Sequence, residues 1–160
     1  MLKHTEDQAA AGKRGGAAEP FVYSRTITWG DTDPGEIVFT GRYLEYAVDA
    51  VEAWFTATFG VNWYELKHDL GLGSPFRFAN LDFKAPLTPR DRLEVEVRVP
   101  HVGTTSVRFD LRGYGVSAKA GRRHCFSIDA MIVFVDENLK KTPIPADFRA
   151  RLAKAGWIAE

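Results

Sequence analysis

Residues 41–60 have the sequence GRYLEYAVDAVEAWFTATFG, and they form the longest helical pattern in the chain. The few polar side chains in its central part recur at spacings of four and three residues, so on a helix they lie along one narrow stripe. These are Glu45, Asp49, Glu52 and Thr56. Most of the other side chains are apolar, and a glycine such as Gly60 commonly ends a helix. We therefore predict a buried helix that is wrapped by a sheet.

The segments on both sides of this helix show the two-residue period of β-strands. A strand is predicted before the helix over residues 21–29, where one parity holds Phe21, Tyr23, Ile27 and Trp29. Four alternating segments follow the helix, over residues 81–85, 93–99, 107–111 and 126–134. Their first two links are short, so we expect consecutive strands to pair antiparallel. With a short terminal helix over residues 146–155, this order predicts an α+β domain with one curved antiparallel sheet around a helix.

The bulk composition suits one compact domain. The chain has 160 residues and 45% hydrophobic content, which is enough for a real core. We place that domain at residues 21–160, because residues 1–20 are rich in Ala and Gly, show no period and are expected to form a disordered tail. No run of about 18 apolar residues and no signal-peptide core occurs, so we expect a cytoplasmic protein without a membrane partner.

Charge and cysteine content exclude further classes of protein. Lys plus Arg and Asp plus Glu are both 21, so the formal net charge is zero. The chain therefore has no net positive charge that would attract nucleic acid. The single cysteine, Cys125, cannot form an intrachain disulfide, and metal-finger spacing is absent from the sequence. We therefore expect no nucleic-acid partner, no metal and no cofactor.

The loop before the helix, GDTDPGEIVFT at residues 30–40, carries the candidate chemistry. Pro34 restricts Asp33 to extended or turn geometry, and Gly35 permits close backbone approach. A carboxylate beside the unpaired N–H groups of a helix start can attack a carbonyl or activate water against it. Two other interpretations stay open on chemistry alone. The aspartates can serve only in Asx turns or a helix cap, or the loop can begin a calcium site, although Arg42 stands where that pattern needs a glutamate.

This loop, followed by Tyr43 on a long helix, resembles that of hotdog-fold acyl-CoA thioesterases of the 4-hydroxybenzoyl-CoA thioesterase and YbgC type. The resemblance spans about residues 21–148 and continues through Ser74-Pro75 and three further segments. These segments are FKAPL at 83–87, RDRLEV at 90–95 and GTTSV at 103–107. It implies a hotdog fold, in which a five-stranded antiparallel sheet wraps around a long central helix.

The resemblance also implies roles for residues and an assembly. Asp33 matches the catalytic carboxylate, which acts as a nucleophile or as a general base, and the N–H that holds the thioester oxygen falls on or near Thr40. The substrate would be bordered by Glu36, Ile37, Val38, Phe39 and Tyr43. The substrate would be an acyl-CoA, hydrolysed to free acid and CoA, and the family forms homodimers or homotetramers with active sites at subunit interfaces.

Three positions depart from the family pattern. Glu36 replaces a frequent glycine, so it either adds a second carboxylate beside Asp33 or points to solvent. Thr40 replaces Tyr or His, and the backbone N–H of this position is present with either side chain. Val48 stands where relatives carry an acid that contacts a phenolic hydroxyl. We therefore expect an aromatic, benzoyl-like acyl group whose para-hydroxyl is not contacted by an acid at this position, or a medium-chain aliphatic acyl group.

Several further interpretations remain open in the sequence. Glu45 or Asp49 could act from the helix, as in another branch of hotdog enzymes, although a subunit interface or solvated seam is the simpler role. The chain could also be a catalytically weak hotdog domain that binds acyl-CoA or acyl carrier protein. Contacts to the CoA phosphates could come from Lys84, Arg90, Arg92, Arg122 or Arg123, and an acyl pocket could be lined by Trp29, Phe39, Trp54 or Trp63. Solvated surface charge and core packing are the respective alternatives.

Overall fold

The computed structural model describes residues 18–158 of the chain. The predicted tail, residues 1–20, lies outside the described residues except for its last three, so its disorder stays a prediction. The elements in chain order are β1 (Phe21–Thr26), a 3₁₀ turn (Trp29–Asp31), α1 (Arg42–Phe59), α2 (Trp63–Leu70), β2 (Phe76–Phe83), β3 (Arg92–Val102), β4 (Ser106–Ser117), β5 (Gly121–Val133) and α3 (Ala146–Lys154).

The strands form one five-stranded antiparallel sheet in the order β1-β3-β4-β5-β2, which confirms the predicted α+β fold. The expectation that all consecutive strands pair is wrong for β2 and β3, because β2 pairs with β5 at the far edge. Two strands therefore lie between β2 and β3, a separation of about 14 Å at the usual strand spacing. The link over residues 84–91 crosses that distance, and its Leu87 is fully buried beside Tyr43 at the start of α1.

Helix α1 is buried against the sheet, as its composition predicts. Eight of its residues are buried: Tyr43, Tyr46, Ala47, Ala50, Val51, Trp54, Phe55 and Phe59. Gly60 ends the helix in the left-handed conformation with φ 74°, and its N–H donates to the Thr56 carbonyl. Trp54 has no exposed surface and meets Phe109 of β4 edge-on at 4.9 Å, while Phe148 of α3 stacks on Phe59 at 4.3 Å. Because each large apolar side chain contributes about 1.5–3 kcal/mol on burial, the buried face of this helix contributes substantially to stability.

One local prediction needs correction, and one helix was missed. The predicted strand over residues 21–29 ends at Thr26, and Trp29 lies in the 3₁₀ turn with 71% of its surface exposed. The cause is the Asp31 carboxylate, which accepts hydrogen bonds from Thr28 and bends the chain out of the strand. Helix α2 was not predicted, although Asn62 and Glu65 form a capping box that is visible in the sequence. The terminal helix α3 is confirmed.

The outer face of the sheet is charged. Arg122 of β5 pairs with Glu94 and Glu96 of β3, and Arg108 makes a two-pronged contact with Asp129. Such exposed pairs contribute little to stability, but they mark a face that meets water or a polar surface. Within residues 18–158, none of the helices has the length and apolar character needed to cross a membrane.

Candidate active site

The loop that carries Asp33 is closed by its own backbone. Thr32 pairs with Val38, and within that pair the Asp33 N–H donates to the Ile37 carbonyl at 3.0 Å. Oδ1 of Asp33 accepts the Gly35 N–H at 2.8 Å, so the Asx turn that the sequence allows is present. Oδ2 has no hydrogen-bond partner in the described part of the chain. The turn therefore orients the carboxylate and leaves one oxygen free for chemistry.

Asp31 holds the loop in place through hydrogen bonds and ion pairs of its buried carboxylate. Its carboxylate is 5% exposed and accepts the N–H of Thr28 at 2.8 Å and the Thr28 hydroxyl at 3.0 Å. Arg25 lies 3.3 Å from the same carboxylate, and Arg42 lies 3.9 Å from it. Burial alone would raise the pKa of Asp31, but the Thr28 hydrogen bonds and the two guanidinium groups hold its pKa below the usual value. Asp31 is therefore charged and structural, whereas Asp33 is the carboxylate at the surface.

The start of α1 has unused amide donors. The Asp31 carbonyl accepts the Phe39 N–H at 2.9 Å, which fixes the approach of the chain to the helix. The first helical turn has no side-chain cap at Gly41. Between residues 18 and 158, neither the Thr40 N–H nor the Gly41 N–H finds an acceptor. These two donors and the positive end of the helix dipole create a place for a negatively charged oxygen.

Tyr43 connects the helix start to the β2–β3 link. Its hydroxyl accepts the Leu87 N–H at 3.3 Å, and the Leu87 carbonyl accepts the Val38 N–H at 2.9 Å. Burial raises the pKa of Tyr43, and the negative charge of Asp33 adds to that rise. The hydroxyl is thus neutral and lies within electrostatic reach of Asp33. Sequence reasoning missed Leu87 as a support of the loop, although the FKAPL segment contains it.

The predicted substrate-binding residues lie in different surroundings. Glu36 is exposed with φ 63°, which agrees with a side chain that points to solvent. Ile37 and Phe39 are 39% and 54% exposed, and the Phe39 ring lies against Gly41. Val38 is 2% exposed and packs in the core, so its side chain faces away from the loop surface. The exposed apolar side chains border the helix start, as an acyl-binding surface requires.

Glu45 and Asp49, the two helix acids with an alternative catalytic role in the sequence analysis, both lie beside arginines. Glu45 is exposed and pairs with Arg42, three residues earlier on the helix. Asp49 lies 3.7 Å from Arg25 of β1. Both carboxylates therefore lie beside the Arg25 and Arg42 side chains that neutralise Asp31.

A basic cavity of about 340 Å³ lies beside the β2–β3 link. Its wall includes Thr88, Arg90, Asp91, Ser117, Lys119 and Arg123. Asp91 holds Arg123 through two contacts of 3.1 Å, and Arg123 with Thr88 keeps the pKa of Asp91 low although burial alone would raise it. Arg90 and Lys119 have no such partner in the described range. Of the basic residues suggested by the sequence, Arg90 and Arg123 thus come together.

A second cavity, of about 260 Å³, opens between α1, α2 and the start of β2. Its wall consists of Val48, Trp63, Leu66, Ser74, Pro75 and Phe76. Of the tryptophans suggested for an acyl pocket, Trp63 lines this cavity, whereas Trp54 is in the core and Trp29 is exposed. We call this space the α1–α2 cavity. Across residues 18–158, no three His, Cys, Asp or Glu side chains converge as metal ligands would.

The chain is similar in sequence and structure to several known proteins. A family model of the thioesterase-like superfamily matches residues 27–152. A 1,4-dihydroxy-2-naphthoyl-CoA hydrolase from Synechococcus elongatus is 30% identical over 93 residues, which are 58% of this chain and 68% of that protein. A thioesterase superfamily structure from Jannaschia sp. CCS1 matches with 32% identity and a TM-score of 0.71, over 91% of this chain and 97% of the other. The 4-hydroxybenzoyl-CoA thioesterase from Pseudomonas sp. strain CBS-3 has 21% identity and a TM-score of 0.77, over 84% and 99%.

A long buried helix inside a curved five-stranded antiparallel sheet, with an acidic loop at its start, defines a hotdog-fold protein. The chain belongs to the thioesterase-like superfamily, whose model covers most of the domain. The family and fold that the sequence motif indicated are therefore confirmed, and with them the assignment to the thioester hydrolases.

Proposed function

We propose that this protein hydrolyses acyl-CoA thioesters whose acyl group is aromatic and benzoyl-like or of medium chain length, and that Asp33 is the catalytic carboxylate. The observation that carries the proposal is the free Oδ2 of Asp33 beside a helix start with two unused amide donors. The names of the relatives support an aromatic acyl group, since one hydrolyses a naphthoyl-CoA and another a hydroxybenzoyl-CoA.

The proposed reaction begins when the thioester oxygen accepts hydrogen bonds from the Thr40 and Gly41 amides. Asp33 then attacks the carbonyl carbon, the C–S bond breaks, and CoA leaves as a thiolate that takes a proton from water. Water next hydrolyses the mixed anhydride and releases the acid. Alternatively, Asp33 takes a proton from water as that water attacks, and the proton passes to the leaving sulfur. Either route places negative charge on the former carbonyl oxygen, where the helix start stabilises it, and neither requires a metal or a cofactor.

The apolar border fits the acyl part of such a substrate. Ile37 and Phe39 precede the helix and are exposed, and Tyr43 follows with its ring edge-on to Phe83 at 4.9 Å. Phe83 is itself 48% exposed. A bound acyl group that packs on these side chains would displace water from the site, which would strengthen electrostatic contacts there. For the CoA phosphates we assign the basic cavity beside the β2–β3 link, where Arg90 and Lys119 are available.

We further propose that the site is completed in a homodimer or homotetramer. Strand β2 pairs with β5 on one side, and in the described chain its other edge has no partner strand. An unpaired edge with a half-exposed phenylalanine beside the candidate site is a surface that a second copy can cover. Light scattering on the purified protein tests this, because a mass of one chain would contradict it.

The decisive experiment is a thiol-release assay with a panel of acyl-CoAs. Asp33→Asn keeps the shape of the side chain and removes its charge, so the rate should fall by about 10²–10⁴-fold. Asp69→Asn, on the exposed surface of α2, is the matched control and should keep the wild-type rate. Full activity of Asp33→Asn would contradict the assigned role.

The same panel separates hydrolysis from binding alone. If the wild-type protein binds acyl-CoA saturably but releases no thiol, the protein is a catalytically weak acyl-CoA-binding domain. If it releases thiol from acyl carrier protein and not from CoA, the carrier assignment is wrong while the chemistry stands.

A further inference from the structure

The backbone of Leu87 is hydrogen-bonded both to helix α1 and to the loop of residues 30–40, which we call the Asp33 loop. The Leu87 N–H donates to the Tyr43 hydroxyl at 3.3 Å, and the Leu87 carbonyl accepts the Val38 N–H at 2.9 Å. Leu87 is fully buried, while Val38 and Tyr43 are 2% and 3% exposed. Both hydrogen bonds therefore lie away from water, which cannot readily replace a lost partner there.

The β2–β3 link that contains Leu87 is itself held firmly by the sheet. A Cβ atom on Gly115 of β4 would lie 2.9 Å from Cδ2 of Leu87 and 3.2 Å from the Asp91 carboxyl group, so the link packs directly on the strand backbone. Asp91 also accepts the Thr88 N–H at 2.9 Å and pairs with Arg123 of β5. The link is thus a fixed point between the sheet and the candidate site.

The hydrogen bond to Leu87 also affects the direction of the proposed oxyanion donors. The Val38 and Phe39 amides are bound by the Leu87 and Asp31 carbonyls, at 2.9 Å each. The next two amides along the chain, those of Thr40 and Gly41, are the proposed donors. Such donors stabilise charge only when they are already aimed at the position that the oxygen will occupy. Their aim therefore depends on how the two preceding amides are held.

Tyr43 connects the same fixed point to the first turn of α1. Its ring is edge-on to Phe83 at 4.9 Å and to Phe126 at 5.2 Å, which fixes the place of the hydroxyl. Burial raises the pKa of Tyr43 above its usual value, so the hydroxyl stays neutral at the pH of an ordinary assay. The helix start and the Asp33 loop are thus joined through the two sides of one peptide backbone.

We propose that Tyr43 is a positioning residue: through Leu87, its hydroxyl holds the start of α1 and the Asp33 loop in one fixed relation. In that relation the Thr40 and Gly41 amides and the Asp33 carboxylate meet the same thioester carbonyl. This inference rests on the proposed function, because it concerns the geometry of the same reaction. The hydroxyl acts apart from the Tyr43 ring, which borders the acyl group, and it does not touch the reacting atoms.

Tyr43→Phe tests this role, because it removes the hydroxyl and keeps the ring. With benzoyl-CoA as substrate, kcat should fall by about 10- to 100-fold, as expected for a displacement of about 1 Å, while KM stays within about twofold. The loss should be the same from about pH 6 to about pH 9, because a neutral hydroxyl that only positions other groups does not titrate in that range. A loss that varies with pH would instead indicate proton transfer and overturn the inference.

Two control variants separate positioning from a general loss of stability. Tyr64→Phe removes a hydroxyl from a side chain that is 71% exposed on α2, and it should leave kcat unchanged. Phe109→Leu weakens the core contact with Trp54 on β4 and should lower the urea midpoint, yet keep kcat as long as the chain is folded. If Phe109→Leu lowers kcat as much as Tyr43→Phe does, stability alone explains the loss and the inference fails.

A double variant shows whether Tyr43 acts together with Asp33. Tyr43→Phe should cost less in an Asp33→Asn background than in the wild type, because the alignment of that carboxylate with the donors no longer matters. The same fold loss in both backgrounds would overturn the inference. If Tyr43→Phe does not fold, Gly115→Ala displaces Leu87 from the β4 side and is judged by the same kcat and KM criteria.

Failure of this inference is distinct from failure of the proposed function. Full activity of Asp33→Asn contradicts the proposed function, whereas an impaired Asp33→Asn with a Tyr43→Phe kcat within about twofold of wild type overturns only the inference. Amide hydrogen exchange followed by NMR needs no substrate. Tyr43→Phe should speed exchange of the Val38 and Leu87 amides by about tenfold or more relative to Leu111 in β4, and unchanged exchange would overturn the proposed connection.

Discussion

Replacement of Asp31 by asparagine should destabilise the protein although Asp31 takes no part in the proposed chemistry. The carboxylate is 5% exposed and accepts two hydrogen bonds from Thr28 while it faces Arg25. Asparagine keeps the volume but loses the charge, so Arg25 loses its most buried partner. Breaking a fully buried pair costs about 3–5 kcal/mol, and losing a cap costs about 0.5–2 kcal/mol. Because the Arg25 side chain is 28% exposed and can turn to water, we expect about 2 kcal/mol.

The assay is urea unfolding at neutral pH. With a slope of about 2 kcal/mol per molar, a loss of about 2 kcal/mol lowers the midpoint by about 1 M. Asp82→Asn is the matched control, because Asp82 forms an exposed pair with Lys84, and its midpoint should barely move. A midpoint for Asp31→Asn within about 0.2 M of the wild type would refute the anchoring role.

The pH dependence gives a second readout of the same residue. The pKa of Asp31 is lower in the folded chain than in the unfolded chain, since the Thr28 hydrogen bonds and the guanidinium groups outweigh burial. Its stabilising contribution is therefore complete above the ordinary aspartate pKa, and it disappears as the pH falls through the lowered value. The difference between wild type and Asp31→Asn should shrink below about pH 4. A difference that stays constant from pH 7 to pH 3 would show that charge is not the cause.

Three further changes test the loop and the basic cavity. Glu36→Gly should raise the free energy of unfolding by about 0.5–1 kcal/mol, because φ 63° is strained for a residue with a Cβ atom, and a lower urea midpoint would contradict this. Gly41→Ala should raise KM, because the new Cβ would lie 2.7 Å from the Phe39 ring and displace that ring from the border of the site. An unchanged KM would show that Phe39 does not contribute to substrate binding. Arg90→Gln combined with Lys119→Gln should raise KM for acyl-CoA and weaken its dependence on salt. The N-acetylcysteamine thioester of the same acid, which lacks phosphates, should show no such change.

The candidate site was recognised from the sequence because its chemistry is local. Asp33, Pro34 and Gly35 are consecutive, and their turn forms from contacts within a few residues. The contact of Leu87 with this region could not be predicted from the sequence, because Leu87 lies in a link more than forty residues away. The same limit applies to the α1–α2 cavity, which is lined by residues of α1, α2 and the segment before β2 that lie far apart in the sequence.

Several elements could be predicted from local sequence patterns. These are helix α1 with its end at Gly60, the alternating strands and the acidic loop between β1 and α1. The folded chain was needed to show that β1 pairs with β3, that β2 lies at the far edge of the sheet, and that Trp29 is exposed. A side-chain period is set by neighbouring residues, whereas strand order and burial depend on which distant segments cover the helix. For the same reason the reaction class could be inferred from one loop, while the position of the α1–α2 cavity required the folded chain.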